Sequence, residues 1–268
     1  MIRKIILQLV ITVAVFAAVW FAVSQINWMK VFKIEQATKN TEEKIGDLFW
    51  DLMKKSENEI TSASISSPID SMLTKICTAN LIDREKIKLH ILRKDEINAF
   101  ALPNNHLVIY SGLITACEND AELCGVMGHE LAHMEKNHVM NKLMKEIGLS
   151  VLISMSTGNG NAEAVKTAIK QLTSSAYDRK LETEADLTAV DYMIKANINP
   201  EAFANFMYRL SDETKNIPRQ LFWISTHPES KERAEKMIER IHQSGFTVTE
   251  KADTLKFSNL KERIKNGL

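Results

Sequence analysis

The stretch that decides how this 268-residue chain folds reads Glu122-Leu-Cys-Gly-Val-Met-Gly-His-Glu-Leu-Ala-His133. It is mostly apolar, lacks proline and is typical of a helix. On a helix, His129 and His133 project only about 40° apart, so both imidazoles can reach one metal ion. Glu130 lies on the same side of the helix and can contact a water molecule beside that metal. The stretch therefore predicts a helix that carries two zinc ligands and a general base.

The alternative is a helix with two histidines and a glutamate on its surface. The flanking side chains argue against it because they are apolar and would bury the segment. These side chains are Leu123, Val126, Met127, Leu131 and Ala132. Burying two imidazoles and a carboxylate costs on the order of several kcal/mol unless a partner satisfies them. A metal ion is such a partner.

A catalytic zinc site takes a third protein ligand and keeps one position open. A metzincin would have Gly at position 136 and His at 139, where this chain has Lys136 and Val139. An inverted His-x-x-Glu-His motif is absent. The remaining scheme takes a glutamate from a second helix, predicted over residues 163–195. There Glu182 and Asp186 are four apart and share a face, so Glu182 could bind zinc while Asp186 orients a ligating imidazole. The alternative is a solvated helix face, which often contains the same spacing.

Other polar residues near these motifs receive no catalytic role. His138 is one position out of register for the metzincin ligand, and Glu184 is predicted to point toward solvent. Three cysteines are too few and too scattered for a disulfide scaffold, and Cys124 is interpreted as a packing residue.

Residues 5–23 form an uncharged run. Its helical length, at about 1.5 Å per residue, approaches the roughly 30 Å of a bilayer core. Arg3 and Lys4 precede it, which favours a cytoplasmic N-terminus and export of the rest. A cleaved signal peptide is the alternative, but its apolar core is usually only about 7–15 residues long. The run therefore favours one N-terminal transmembrane helix that is not cleaved.

The rest of the chain predicts a mainly helical α+β fold with a small β-sheet. An alternating pattern over residues 86–92 predicts a strand. Residues 99–102 and 106–110 flank the turn formers Pro103-Asn104-Asn105, which predicts a hairpin. Lys+Arg and Asp+Glu both number 34, so the formal net charge is zero. Because binding to nucleic-acid phosphates normally requires a basic excess, we expect no nucleic-acid partner.

Several ordered motifs together resemble the membrane-associated gluzincin metallopeptidases. This family includes HtpX, the CAAX prenyl proteases, and the BepA- and LoiP-type periplasmic proteases. The resemblance covers about residues 67–240. The matching stretches are Asn98–Pro103, Ser111–Ile114, Glu122–His133, Asp178–Asp186, Thr226–Pro228 and Arg233. The single N-terminal apolar run favours the BepA-like layout, since HtpX and the CAAX proteases have several spans.

The resemblance implies a zincin-like domain with one Zn²⁺ per chain. It assigns His129, His133 and Glu182 to the metal, Glu130 to general base catalysis and Asp186 to support of a zinc ligand. The corresponding division of the chain is a membrane anchor at 1–30, a helical linker region at 31–66, a zinc metallopeptidase domain at 67–243 and a polar tail at 244–268.

The implied function is a zinc endopeptidase that degrades unfolded or misfolded membrane or envelope proteins. Its N-terminal helix would hold it at the cell inner membrane as a single-pass protein with a periplasmic catalytic domain. Signal cleavage would instead leave it free in the periplasm. The oligomeric state stays open. A catalytically silent, membrane-tethered holdase is the alternative function, and the intact Glu130 argues against it.

His227 lies in the stretch Ser225-Thr226-His227-Pro228, about 40 residues after Glu182. Three roles fit it: a hydrogen-bond donor to the oxyanion, an occupant of zinc's open position at rest, or a cap of the following helix. The resemblance favours a role at the site, with Arg233 as a further candidate.

The substrate is expected to bind along a strand. Residues His106, Leu107, Val108, Ile109 and Tyr110 are interpreted as an edge strand beside the zinc helix. An extended peptide would add to it through main-chain hydrogen bonds, which require no particular sequence. The alternative is an ordinary covered strand.

Overall fold

A computed structural model describes residues 34–158, 162–213, 223, 227, 231–247 and 254–267. The predicted membrane anchor at residues 1–30 lies outside these ranges. Within them, no helix combines the length and the apolar character needed to cross a membrane. The chain divides into two compact units, Met1–Thr41 and Glu42–Leu268. Of the first unit only residues 34–41 are described, and they are the first turns of helix α1 (Ile34–Ser56).

The second unit surrounds a three-stranded sheet with helices, which confirms the mainly helical α+β prediction. After α1 come α2 (Ala63–Ala79), a 3₁₀ turn (Arg84–Lys86), β1 (Lys88–Leu92), β2 (Ala99–Leu102), β3 (His106–Tyr110), α3 (Ser111–Ala116), α4 (Asp120–Glu135), α5 (His138–Ile147), α6 (Leu149–Ser156), α7 (Ala162–Ser174), α8 (Arg179–Lys195), α9 (Glu201–Glu213), α10 (Lys231–Ser244) and α11 (Thr254–Lys265).

The strands are ordered β1-β3-β2. β2 and β3 form the predicted antiparallel hairpin. In its turn Asn104 and Asn105 have left-handed φ angles of 61° and 57°, which asparagine tolerates better than most residues. The prediction that residues 106–110 form an edge strand is wrong, because β1 pairs in parallel with the other side of β3. Parallel pairing needs no tight turn and leaves no turn signal in the sequence.

Helix α4 forms the centre of the packing and is buried over nearly its whole length. Asn119 caps this helix, since its Oδ1 accepts a hydrogen bond from Glu122 N at 3.0 Å. Gly125 allows α9 to approach α4 closely, since a Cβ there would lie 2.4 Å from Cβ of Phe203. At Gly128 a Cβ would make an ordinary contact, 3.5 Å from Cβ of Ala189 on α8.

Both regions predicted to flank the peptidase domain contribute to its core. In the predicted linker, Ile45 and Phe49 of α1 are fully buried. In the predicted polar tail, α11 buries Phe257, Leu260 and Ile264 and packs against α2 and α3. These three apolar residues, spaced three and four apart, form one stripe on a helix, so this part of the predicted tail packs onto the domain.

The helix predicted over residues 163–195 is two helices. α7 ends at Ser174 and α8 begins at Arg179, with Asp178 as its extended N-cap residue. The second of these helices crosses α4 where Gly128 and Ala189 meet. This crossing brings the acidic first turns of α8 beside the two histidines of α4.

Candidate active site

Four buried side chains meet where α4 and α8 cross. His129 and His133 come from α4, Glu182 from the first turn of α8, and His227 from the chain beyond α9. One ligand atom from each of them lies within 4.8 Å of all the others. The structure therefore brings together the three predicted zinc ligands and the predicted catalytic histidine.

The distances within this cluster fit a zinc ion. His129 Nε2 lies 3.0 Å from His133 Nε2 and 3.6 Å from Glu182 Oε2, and His133 Nε2 lies 3.5 Å from Glu182 Oε1. Tetrahedral zinc with bonds of about 2.0–2.1 Å separates its ligand atoms by roughly 3.3–3.4 Å, within this range. Burial lowers the pKa of His133 to about 3, which keeps its imidazole neutral and able to bind a metal.

His227 completes the cluster as a fourth corner. Its Nδ1 lies 3.1 Å from His129 Nε2 and 3.0 Å from Glu182 Oε1. Its Nε2 lies 3.3 Å from Oε1 of Glu130. The ring therefore stands between the ligand atoms and the predicted general base.

Glu130 is buried beside the ligand cluster but is not a member of it. Its Oε2 accepts a hydrogen bond from the backbone N of Ala101 on β2 at 3.1 Å. Its Oε1 accepts one from Nε1 of Trp223 at 3.2 Å. Burial raises the pKa of Glu130 to about 8. Sequence reasoning missed Trp223, which belongs to no recognisable motif.

Asp186 and Arg233 support the ligands from behind. Asp186 Oδ1 lies 2.9 Å from His129 Nδ1. Arg233 binds the Asp186 carboxylate through two nitrogens, at 2.6 and 2.8 Å, and its Nη2 also lies 2.9 Å from Glu182 Oε2. Burial by itself would raise the pKa of Asp186, but its bonds to Arg233 and His129 hold that pKa below the ordinary value.

Three further residues around His133 escaped prediction. His138 Nδ1 lies 3.1 Å from His133 Nδ1. The ring centroid of Tyr177 lies 4.1 Å from that of His133, and Lys142 Nζ lies 4.0 Å from the Tyr177 centroid. Burial lowers the pKa of Lys142 to about 8. These contacts join separate elements, so sequence spacing alone did not reveal them.

The predicted substrate residues 106–110 are not part of this cluster. His106 Nδ1 contacts His90 Nε2 at 2.9 Å, and its Nε2 lies 3.1 Å from Oδ1 of Asp47 on α1. β2, through Ala101, is instead the strand that contacts the general base.

A His-Glu-x-x-His helix, a glutamate from a second helix among the candidate ligands and a buried carboxylate beside them are the pattern of a zinc metallopeptidase of the gluzincin class. The chain belongs to peptidase family M48, whose family model matches residues 62–241. Zinc is the metal of this family.

Curated relatives agree with this assignment. The mitochondrial metalloendopeptidase OMA1 of Schizosaccharomyces pombe is 25% identical over 64% of this chain and 51% of its own length. The metalloprotease LoiP of Escherichia coli is 26% identical over 71% of this chain and 77% of its own. The β-barrel assembly-enhancing protease of the same species is 22% identical over 76% and 46%. The chain thus spans about half the length of OMA1 and of the assembly-enhancing protease.

Proposed function

We propose that the protein is a zinc-dependent endopeptidase in which His129, His133 and Glu182 hold the metal and Glu130 is the general base. The observation that supports this most directly is the placement of Glu130. Its carboxylate is buried beside the ligand cluster, and donors from two different parts of the chain fix its orientation. Zinc, when bound, would acidify a water molecule and polarise the scissile carbonyl.

Glu130 is suited to taking a proton and passing it on. A buried carboxylate with a raised pKa accepts a proton from an attacking water molecule more readily than an exposed one does. Ala101 N and Trp223 Nε1 each donate to a different oxygen of the carboxylate, and these two hydrogen bonds fix its orientation. The same carboxyl group would then deliver the proton to the leaving amine.

β2 is the strand we propose for substrate binding. The outer side of β1 is hydrogen-bonded to the chain at Asn58 and Ile60, which leaves β2 at the other side of the described sheet. Tyr110 N donates to Asn98 O, and since the pairing direction alternates along β2, the main-chain groups of Ala99 and Ala101 face away from β3. Because Ala101 N already donates to Glu130, a peptide would pair with Ala101 O and with Ala99. An extended peptide added there would run beside Glu130.

The arrangement around His227 supports a closed resting state. Trp223 N donates to Ile97 O at 3.1 Å, just before β2, while its indole binds Glu130. His227 N donates to Trp223 O at 2.8 Å, which links the two residues directly. His227 Nδ1 then occupies the fourth corner of the ligand cluster. A substrate would have to displace His227 to reach the ligands.

The proposed substrates are unfolded or misfolded polypeptides, because binding through the main chain of β2 selects for extended backbone rather than for particular side chains. The relatives include a mitochondrial enzyme and a bacterial protease named for β-barrel assembly. Together with the uncharged run at residues 5–23, they support a role in quality control at an inner membrane, with the catalytic domain in the periplasm.

Wild-type and Glu130→Gln protein tested on casein, with and without a chelator, would test the proposed activity. We expect the wild type to cleave casein only with its metal, and the variant to keep zinc while losing about 10²–10⁴-fold in turnover. Equal cleavage by both would refute the role of Glu130. If the zinc-loaded wild type suppresses aggregation of an unfolded protein but cleaves nothing, the holdase alternative stands instead.

His227→Ala distinguishes its three roles. In a closed resting state, the variant should cleave casein faster than wild type at equal zinc content, because the fourth corner is vacated. If His227 is instead an oxyanion donor, the variant should turn over about 10²–10³-fold more slowly while it keeps its zinc and its substrate binding. Unchanged turnover in a folded variant would leave only a structural role.

A further inference from the structure

His138 is a buried imidazole at the start of α5, outside the ligand cluster. Its Nδ1 lies 3.1 Å from His133 Nδ1, and its Nε2 lies 3.6 Å from Oε2 of Glu184. Its ring centroid is 5.0 Å from that of His133, at an interplanar angle of 70°. His138 therefore lies directly behind a zinc ligand, on the side away from the metal position.

This contact depends on a break between α4 and α5. On a continuous helix, residues five apart project about 140° apart, so the rings of His133 and His138 could not meet. α4 ends at Glu135, and Asn137 takes a left-handed φ of 57°. Asparagine tolerates this conformation better than most residues. The turn brings the first residue of α5 back against the last turn of α4.

The neighbours of each ring nitrogen determine which nitrogen of His133 and of His138 carries the proton. His133 Nε2 faces His129 and Glu182, so it is the nitrogen available to the metal. A metal-binding Nε2 leaves the ring proton on Nδ1, where it requires an acceptor. His138 Nδ1 can accept this proton only if His138 carries its own proton on Nε2. That N–H then faces the carboxylate of Glu184.

We propose that His138 is a positioning residue for the metal centre: it accepts a hydrogen bond from His133 Nδ1 and thereby fixes the orientation and tautomer of that ligand. The inference deepens the proposed function, since it rests on His133 being a zinc ligand. It gives His133 the kind of support that Asp186 gives His129.

The two supports differ in strength. Asp186 is a buried carboxylate held by Arg233 through two bonds. The group that faces His138 Nε2 is Glu184, whose side chain is 43% exposed and also lies 3.3 Å from Lys136 Nζ. Loss of the His138 acceptor should therefore weaken zinc binding strongly, whereas loss of the Glu184 charge should have a small effect.

His138→Asn and His138→Leu form a matched pair for the test. The two replacement side chains have the same branched shape, but only asparagine has an oxygen at the position of Nδ1. Zinc affinity of the full chain is measured by competition with a chelating indicator, and the absorption spectrum of the Co²⁺-substituted protein reports ligand geometry. His90→Ala controls for the loss of an imidazole that contacts no zinc ligand.

We expect His138→Leu to weaken zinc binding by about 10–100-fold and to change the Co²⁺ spectrum. His138→Asn and Glu184→Gln should stay within a few-fold of wild type, and His90→Ala should match it. Equal affinities for the Leu and Asn variants would overturn the proposal. If the Leu variant does not fold, a folded Asn variant with affinity reduced more than 10-fold overturns it. A wild type that binds zinc but cleaves no peptide would refute the endopeptidase and leave this inference standing.

Discussion

In the part of the chain that the structure describes, two clusters combine histidines with carboxylates, and they differ in the direction of their ring nitrogens. In the ligand cluster, Nε2 of His129, Nε2 of His133 and Nδ1 of His227 all face one point. In the second cluster, His90 and His106 on β1 and β3 form a chain. Glu59 contacts His90 at 3.0 Å, His90 contacts His106 at 2.9 Å, and His106 contacts Asp47 at 3.1 Å.

The second cluster satisfies its own ring nitrogens. Each nitrogen of His90 and His106 has a separate neighbour, and Trp50 stacks on His90 with centroids 3.5 Å apart. Lys88 Nζ lies 2.7 Å from Asp47 Oδ1 and 3.4 Å from His106 Nε2, so it can donate to that ring nitrogen when both imidazoles are neutral. Such a chain needs no metal ion. The two clusters therefore differ in whether the lone pairs of several side chains point to one place, as in the ligand cluster, and not in how many histidines they contain.

Removing a ligand should give the largest difference between the clusters. We expect Glu182→Ala to lose most of its zinc after dialysis, a greater loss than the about 10–100-fold typical of an outer partner. Glu59→Ala removes a carboxylate from the second cluster and should keep one zinc per chain. Zinc content measured by atomic emission decides this. A Glu182→Ala protein that retains full zinc would show that the third ligand is misassigned.

The sequence predicted the ligand cluster better than it predicted the surroundings of the cluster. His129, His133 and Glu182 follow helical spacings, which local geometry fixes. Trp223, Tyr177 and His138 reach the site only because separate elements pack together or because a helix breaks at Asn137. No local periodicity encodes those contacts.

The same distinction applies to the fold. The hairpin was predictable because turn-forming residues join its strands. The position of β3 in the sheet was not predictable, since its pairing with β1 is parallel and joins distant segments. The apolar stripe of α11, Phe257, Leu260 and Ile264, is visible in the sequence but short. It is buried because α11 packs against α2 and α3, which local spacing does not predict.

A smaller loss of zinc binding is expected when the residue that supports a ligand, rather than the ligand itself, is replaced. Asp186→Asn should weaken zinc binding or activity by about 10–100-fold, because His129 loses its charged partner. Asp191→Asn is a matched control on the same helix: Asp191 also binds an arginine through two nitrogens, Arg240 at 2.9 Å, but at the exposed surface. The control should bind zinc like wild type. If the two variants behave alike in chelator competition, the contact between Asp186 and His129 has no special role.

The smallest effect should come from the second cluster, as a change in stability with pH. Burial lowers the pKa of His106 from 6.5 to about 4, against the opposing effect of its contact with Asp47. Lys88 and His90 also face this ring and disfavour its charge. Because the unfolded chain binds a proton near pH 6.5 and the folded chain does not, stability is complete above that pH and falls between pH 6.5 and 4.

His106→Gln should remove this contribution, so that the variant loses less stability than wild type over that pH range, by on the order of 1 kcal/mol. His242→Gln, which replaces an exposed histidine on α10, is the control for loss of an imidazole outside the cluster. Urea unfolding at pH 7, 5.5 and 4.5, with both variants compared at each pH, measures the difference. Parallel curves for wild type and His106→Gln would mean that His106 gains its proton as easily in the folded as in the unfolded chain. In that case the ring is not the neutral, self-satisfied link that sets this cluster apart from the ligand cluster.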